Sequence, residues 1–403
     1  MSSAQPSLPP EAVAKAFQVQ GSKFKVQGSR SIVQSQDPEP GTLNSEPGTF
    51  FSPDYATARD RFTRAARAAG ARTEAIALDA RGPAREALTI DIAWLGAPDA
   101  DRVLLHTSGM HGVEAFPGCA VQLAALSEFA ALAPGCALVL AHALNPYGMA
   151  RLRRTNENNV DLNRNFLAPG ESYRGSPPLY ARIDAVLNPA SPPGFDFFRL
   201  KALGLVMRYG MGALRQAVAQ GQYDYPRGLF YGGSMLEQGP ALFLGWLGCK
   251  LARVRYLFVL DAHSGLGAWG EQTLIGAPGV NATGALELAG ALAHAVIDPA
   301  DSRSPAYTIR GGMAGALRHT LPAARMDFVL QEIGTCSAIA VLGALREENR
   351  WHHYGAATVD HPAKLALREA LCPGSPVWRR RVLAHGRGLL ERAAVWTWNY
   401  GER

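Results

Sequence analysis

Val103-Leu-Leu-His-Thr-Ser-Gly-Met-His-Gly-Val-Glu-Ala-Phe116 is the stretch whose reading decides the fold. Its apolar start, closed by Gly109, reads as a buried strand, and the alanine-rich stretch from Pro117 to Leu132 reads as the helix that follows. His111 and Glu114 then stand at the carboxyl end of a strand, the edge at which open α/β sheets bind ligands. A spacing of three in a turn or helix start lets both side chains face one point, so the pair is a candidate for two ligands of one metal. One His-x-x-Glu in a chain with ten histidines is a weak signal, and its meaning depends on the rest of the sequence.

Working outward, the same arrangement recurs. The apolar run Ala137 to Leu144 stops at Asn145-Pro-Tyr-Gly148 and opens into a polar loop, residues 149–166, dense in arginine, asparagine and aspartate. A loop of that length and composition beside a strand end is more often functional than a mere connection. Tyr256-Leu-Phe-Val-Leu260 runs into Asp261-Ala-His263, and Phe328-Val-Leu-Gln331 leads to Glu332-Ile-Gly-Thr335, so a histidine and a carboxylate again follow strands. Residues 54–69 suit a helix ending at Gly70, Leu88–Leu95 alternates like a strand, residues 176–253 read as mainly helical, and helical patterns run from about Ser337 to Ala394. Strands alternating with helices predict an α/β fold: a single doubly wound, largely parallel (mixed) sheet flanked by helices.

Composition sets the outer bounds. Residues 1–49 are rich in Gln, Ser, Pro and Gly and repeat Phe17-Gln-Val-Gln-Gly-Ser as Phe24-Lys-Val-Gln-Gly-Ser, which reads as a disordered N-terminal extension before one catalytic domain over 50–403. At 403 residues and 47% hydrophobic, the chain can bury a sizeable core. The net charge of +6 is carried by arginine without any basic run, so no nucleic-acid partner is expected. Five scattered cysteines, none spaced as Cys-x-x-Cys, indicate neither a disulfide framework nor a thiolate zinc site. No signal peptide or membrane span is visible, so a cytoplasmic protein with no membrane partner is expected.

Four residues thus converge on one sheet edge: His111, Glu114, His263 and Glu332. Two histidines and a carboxylate, with a fourth position left to water, form a ligand set of catalytic zinc sites. A nearby carboxylate outside the set can take the water's proton, and Glu332, late in the chain and apart from the ligand pair, suits that role.

Taken in order, His111-Gly-Val-Glu, Asn145-Pro-Tyr-Gly, Val160-Asp-Leu-Asn-Arg-Asn-Phe166, Asp261-Ala-His and Glu332-Ile-Gly-Thr resemble the motifs of zinc carboxypeptidases of the carboxypeptidase A type. The resemblance is strongest to their bacterial zinc-carboxypeptidase-like branch of unknown function and covers roughly residues 50–395. It implies one Zn2+ per chain held by His111, Glu114 and His263, with Glu332 as general base. It implies that Arg154 polarises the scissile carbonyl, that Asn163 and Arg164 grip the substrate's terminal carboxylate, and that Asp161 orients His111 from behind. Ala115 and Ser264 stand where the branch commonly has glycine and threonine, and the mobile tyrosine of the archetypal enzymes has two candidates, Tyr307 and Tyr354.

The implied function is a zinc-dependent hydrolase of an amide bond adjacent to a free carboxylate, in a small peptide or N-acyl amino acid. An amidoacylase or ester hydrolase on the same fold, or a metal-binding recognition protein without turnover, stays open. Blander readings accompany the rest: Arg151 and Arg153 as solvated arginines, His352-His353 as surface residues, Ser234 as a turn residue, and Glu332 as half of a salt bridge with Arg154 or Arg164.

Overall fold

Strands that bury both faces organise the molecule. Along the centre of the sheet, Val103, Leu105, Val139, Leu257 and Val259 enter one hydrophobic cluster while Leu104, Leu138, Leu140, Phe258 and Leu260 enter another. Alternate side chains of a strand point to opposite faces, so each cluster is a core packed on one face of the sheet. The computed structural model describes residues 49–128, 132–277, 282–299, 308–356 and 358–401; the expected N-terminal extension lies outside them but for Thr49 itself's exposed start.

In chain order the described elements are α1 (Tyr55–Ala68), β1 (Arg72–Arg81), β2 (Ala87–Gly96), β3 (Arg102–Ser108), α2 (Ala115–Glu128), β4 (Cys136–His142), α3 (Pro146–Ala150), α4 (Pro178–Leu187), α5 (Phe198–Tyr209), α6 (Met211–Ala219) and α7 (Gln238–Lys250). They continue with β5 (Tyr256–Gly265), β6 (Gln272–Gly276), α8 (Ala282–Leu292), β7 (Val296–Ile297), α9 (Met313–Thr320), β8 (Arg325–Gly334), α10 (Ala338–Tyr354), α11 (Pro362–Leu371) and α12 (Pro376–Trp398). The eight strands form one sheet in the order β1-β2-β4-β3-β5-β8-β6-β7. Its centre, β4-β3-β5-β8, is parallel, and β1, β2 and β6 pair antiparallel, so the sheet is mixed as expected.

Local signals explain several elements. The Asp54 carboxylate accepts from the Thr57 N–H at 2.7 Å and caps α1, an interaction worth about 1 kcal/mol. Tyr55, Ala58, Phe62 and Ala66 recur at helical spacing along α1 and are its buried face. With α2 and α12 they cover one face of the sheet, and α7 and α9 cover the other. A third cluster, built by α4, α6, α10 and α11, packs beyond the carboxyl ends of the parallel strands.

Two expectations need correction. β5 and β8 run further than their apolar cores, to Gly265 and Gly334, so His263 and Glu332 lie within strands rather than after them. Three strands escaped the pattern, because β1 is largely exposed and β6 and β7 are short and lie toward the edge.

Candidate metal centre

The centre is assembled by register. β5 and β8 pair in parallel with His263 opposite Glu332, and β3 pairs with β5 so that Thr107 stands opposite Asp261. Phe328 lies on the sheet face that α7 and α9 cover, and Glu332 shares its parity; Asp261 and His263 share that of Val259 on the same face. Beyond β3 the chain turns through Gly109 at φ +72°, and a short 3₁₀ segment, Gly112–Glu114, brings Glu114 back beside His111. A methyl group on Gly112 would lie 2.1 Å from the Gly148 carbonyl carbon, so this turn rests directly on the backbone of α3. Gly112 and Val113 also donate main-chain hydrogen bonds to the carbonyls of Arg154 and Arg153, tying the turn to the long polar loop.

His111, Glu114 and His263 are all buried, and each offers one ligand atom to a common point. His111 Nδ1 is 2.9 Å from Glu114 Oε2, His263 Nδ1 is 3.2 Å from His111 Nδ1, and His263 Nδ1 is 3.3 Å from Glu114 Oε2. Ligands about 2.0–2.1 Å from a tetrahedral zinc stand roughly 3.3 Å apart, close to the sides of this triangle. Behind the triangle, His111 Nε2 faces Asp161 Oδ1 at 3.1 Å and His263 Nε2 faces Asp261 Oδ2 at 2.8 Å. A proton held on His263 Nε2 by Asp261 leaves its Nδ1 lone pair aimed at His111 Nδ1 and the Glu114 oxygen, an arrangement a cation satisfies. The donor set therefore fits a zinc ion.

Electrostatics agree. Burial alone would pull His263 down, but the Asp261 carboxylate, with Glu114, raises it well above its ordinary value. The same surplus of negative charge favours a cation between the ligands. Burial would push Glu114 up, yet the charges of His111 and Arg154 outweigh it and hold the carboxyl below the usual range. Asp161 is likewise held low against burial by Arg154 and Arg164.

Arg154 runs along the triangle, donating from Nη1 to Glu114 Oε1 at 2.8 Å and from Nε to Asp161 Oδ2 at 3.0 Å, with Nη2 2.7 Å from His111 Nε2. Asn163 and Arg164 line the same cavity, but the Arg164 guanidinium is buried and donates to the Ala219 carbonyl at 2.9 and 2.6 Å and to the Asn163 carbonyl at 3.0 Å. Both arginines pack over the ring of Phe230, 5.1 and 5.7 Å from its centroid. The salt-bridge alternative for Glu332 gives way to a different pairing, since both arginines face Asp161 and Arg154 also faces Glu114. Glu332 accepts from the Leu266 N–H at 2.9 Å, and burial pushes its carboxyl up to about 7, against the charge of His263 and with that of Glu114.

A cavity of about 610 Å³ opens over these groups, with Leu266, Ile275, Met313, Phe328 and Leu330 on its walls and Arg318 among its polar residues. Of the two candidate tyrosines, Tyr307 lies outside the described residues. Tyr354 ends α10, where the Arg227 guanidinium stands 6.0 Å from its ring, and it does not line the cavity.

Other sequence readings change. Arg153 is fully buried rather than solvated, with Nε 3.0 Å from Glu348 Oε1 and Nη2 donating to Asn159 at 2.7 Å. His352 and His353 are half-buried, their rings 4.9 Å apart, and burial together with Arg153 and Lys364 pushes His352 down to about 2. Asp261 and Phe230 were not singled out. The aspartate could have been found, because a position two before His263 on a strand shares its face, whereas nothing local marks Phe230.

Comparison with known proteins places the architecture. The chain is similar to carboxypeptidase A from Helicoverpa armigera, with a TM-score of 0.50 and 12% identity, covering 89% of this chain and 78% of that one. It is also similar to bovine thrombin-activatable fibrinolysis inhibitor, at TM-score 0.46, 11% identity and coverage of 86% and 97%. Murein-tripeptide amidase MpaA from Escherichia coli O157 aligns at TM-score 0.35 and 17% identity, covering 77% and 97%. The fold is thus zinc-carboxypeptidase-like. Residues 51–385 match the family model described as "Protein of unknown function (DUF2817)", and the chain belongs to that family. No curated protein matches it. Among the described residues, no helix is long and apolar enough to cross a membrane.

Proposed function

We propose that this protein is a zinc-dependent hydrolase that cleaves an amide bond adjacent to a free carboxylate. The observation that carries the reading is the triangle of His111 Nδ1, Glu114 Oε2 and His263 Nδ1, with the half-buried Glu332 on the neighbouring strand at the wall of one cavity. Bound there, zinc would polarise a carbonyl oxygen and lower the pKa of a water to about 7.

The chain's own groups supply the rest. Asp261 holds His263 in the tautomer that presents Nδ1, and Asp161 stands behind the His111 ring. Glu332, raised by burial to about 7, takes a proton from the attacking water in its ionised form and returns it to the leaving amine. Arg154, beside the ligands and on the cavity wall, steadies the negative charge that develops on the carbonyl oxygen. Asn163 and Arg164, on the same wall, receive the substrate's carboxylate, and the apolar wall of Ile275, Met313 and Leu330 receives the side chain next to it.

Glu332→Gln tests the assignment. Turnover of peptides or N-acyl amino acids should fall by about 10²–10⁴-fold while zinc content, measured by mass spectrometry, is unchanged. Undiminished turnover with zinc bound would overturn the role of Glu332 and the mechanism with it.

A further inference from the structure

A second hollow meets the first at the reacting groups. Its volume is about 200 Å³, and it shares Arg154, Leu266 and Glu332 with the larger cavity, but Asn163 and Arg164 line only the larger one. The two hollows therefore adjoin at Arg154, Leu266 and Glu332, like two arms that part at the reacting groups, and the proposed carboxylate-binding groups belong to one arm. In the proposed reaction the other arm receives what lies on the acyl side of the scissile bond, and the following assignment rests on that reading.

The acyl arm is walled by Leu205 and Val206 of α5, Leu214 and Val218 of α6, and Val341 and Leu342 of α10. Of its polar groups, Arg154, Ser264 and Glu332 lie where it meets the centre, with Ser264 already donating from Oγ to the Leu371 carbonyl at 2.6 Å, while Arg215 of α6 stands among the aliphatic wall residues. A peptide laid here would bring an N–H and a C=O per residue into an aliphatic wall, and a buried polar group without a partner is costly. A hydrocarbon chain brings neither. The segment that builds the arm also carries exposed apolar side chains, Phe195, Phe197, Leu200, Met207 and Met211, so apolar surface continues past the arm's own residues. Met211 belongs both to this group and to the lining.

We infer that the arm is an acyl-chain subsite and that the substrates are amino acids N-acylated by medium or long aliphatic chains. In the reaction, water's oxygen bonds to the acyl carbon, the C–N bond breaks, and the proton held by Glu332 passes to the departing nitrogen. The products are a fatty acid and a free amino acid.

The test uses the zinc-loaded protein and two readouts. Calorimetric titration with acetate, octanoate and dodecanoate, below their aggregation concentrations, reads the arm without turnover. Affinity should rise by up to about fourfold per methylene and at least tenfold from octanoate to dodecanoate. Hydrolysis of N-acetyl-, N-octanoyl- and N-dodecanoyl-leucine should follow the same order in kcat/KM. Val206→Trp and Leu342→Trp fill the arm from two helices, and each should remove the chain-length gain while N-acetyl-leucine turnover stays within about twofold. Fatty-acid affinity that is flat from two to twelve carbons overturns the subsite, and so does a peptide preferred over an acyl amino acid of equal length. The wild-type series decides the matter even where a tryptophan variant fails to fold. Chain-length-dependent binding without turnover of any acyl amino acid would instead remove the hydrolase reading and leave the subsite standing.

Discussion

Two of the buried clusters of charge among the described residues are built on opposite balances. Around His111, Glu114 and His263 stand the carboxylates of Asp161, Asp261 and Glu332, with Arg154 as the nearest cation. Around Glu348 the balance reverses: Arg153 Nε is 3.0 Å away and Lys364 Nζ 2.5 Å away, and Arg153 Nη2 donates to Asn159 and Asn349. The first cluster opens on a cavity and points lone pairs at one another; none of Arg153, Glu348 and Lys364 lines either arm of the cleft. Surplus negative charge raises His263 in the first, whereas burial and surplus positive charge push His352 and His353 down in the second. Burial of charge by itself therefore says little about function. The sign of the imbalance and the convergence of candidate ligand atoms separate a proposed cation centre from a brace that joins the polar loop to α10 and α11.

Removing the anion of the brace is the strongest way to break the comparison. Glu348→Gln leaves Arg153 and Lys364 buried without their carboxylate and should cost about 3–5 kcal/mol in denaturant unfolding, with zinc content per folded chain unchanged. Loss of zinc from the folded variant would show that the clusters are not independent.

At the centre, Asp261→Asn keeps the shape of the side chain and removes its charge behind His263. Zinc affinity, measured by competition with a chelator, should weaken about 10–100-fold, or roughly 1.4–2.7 kcal/mol, with less effect on stability than Glu348→Gln. An unchanged affinity would mean that the Asp261 contact does not set the ligand's orientation.

The smallest effect is in the pH dependence of stability, which should rise with pH through both clusters but over different ranges, acid at the centre and alkaline at the brace. Asp161, held low in the folded protein, contributes stability above the usual carboxylate range that is lost as pH falls toward its folded value. Lys364 is pushed by burial from 10.5 to about 8, so between those values the unfolded chain binds the extra proton and stability rises with pH, by about 1.4 kcal/mol per unit at most. Lys364→Met should flatten that alkaline rise and leave the acid limb alone. A rise that persists in the variant would assign it to another group.

Much of the centre is legible in the sequence because strand ends announce themselves. An apolar run that leads into a histidine or a carboxylate marks that end of the sheet, and three such runs bring His111 with Glu114, His263 and Glu332 together. The brace is not legible in the same way. Arg153 sits in a loop with no periodicity to mark its burial, and its partners Glu348 and Lys364 come from two helices late in the chain. The acyl arm was equally hidden, since α5 and α6 read as helices but nothing in their spacing shows that they leave a hollow between them and α10. Edge strands such as β1 fail for a simpler reason: with most of its side chains exposed, it gives little hydrophobic alternation to detect.

The pairing of His263 with Glu332 across β5 and β8 also orders events during synthesis. His111 and Glu114 leave the ribosome first, and a third ligand exists only once β5 has emerged. The carboxyl opposite it arrives with β8, several seconds later at about 5–20 residues per second. A nascent chain can thus hold all three members of the candidate ligand set while still lacking the proposed base, and it acquires that group only as the two strands zip together.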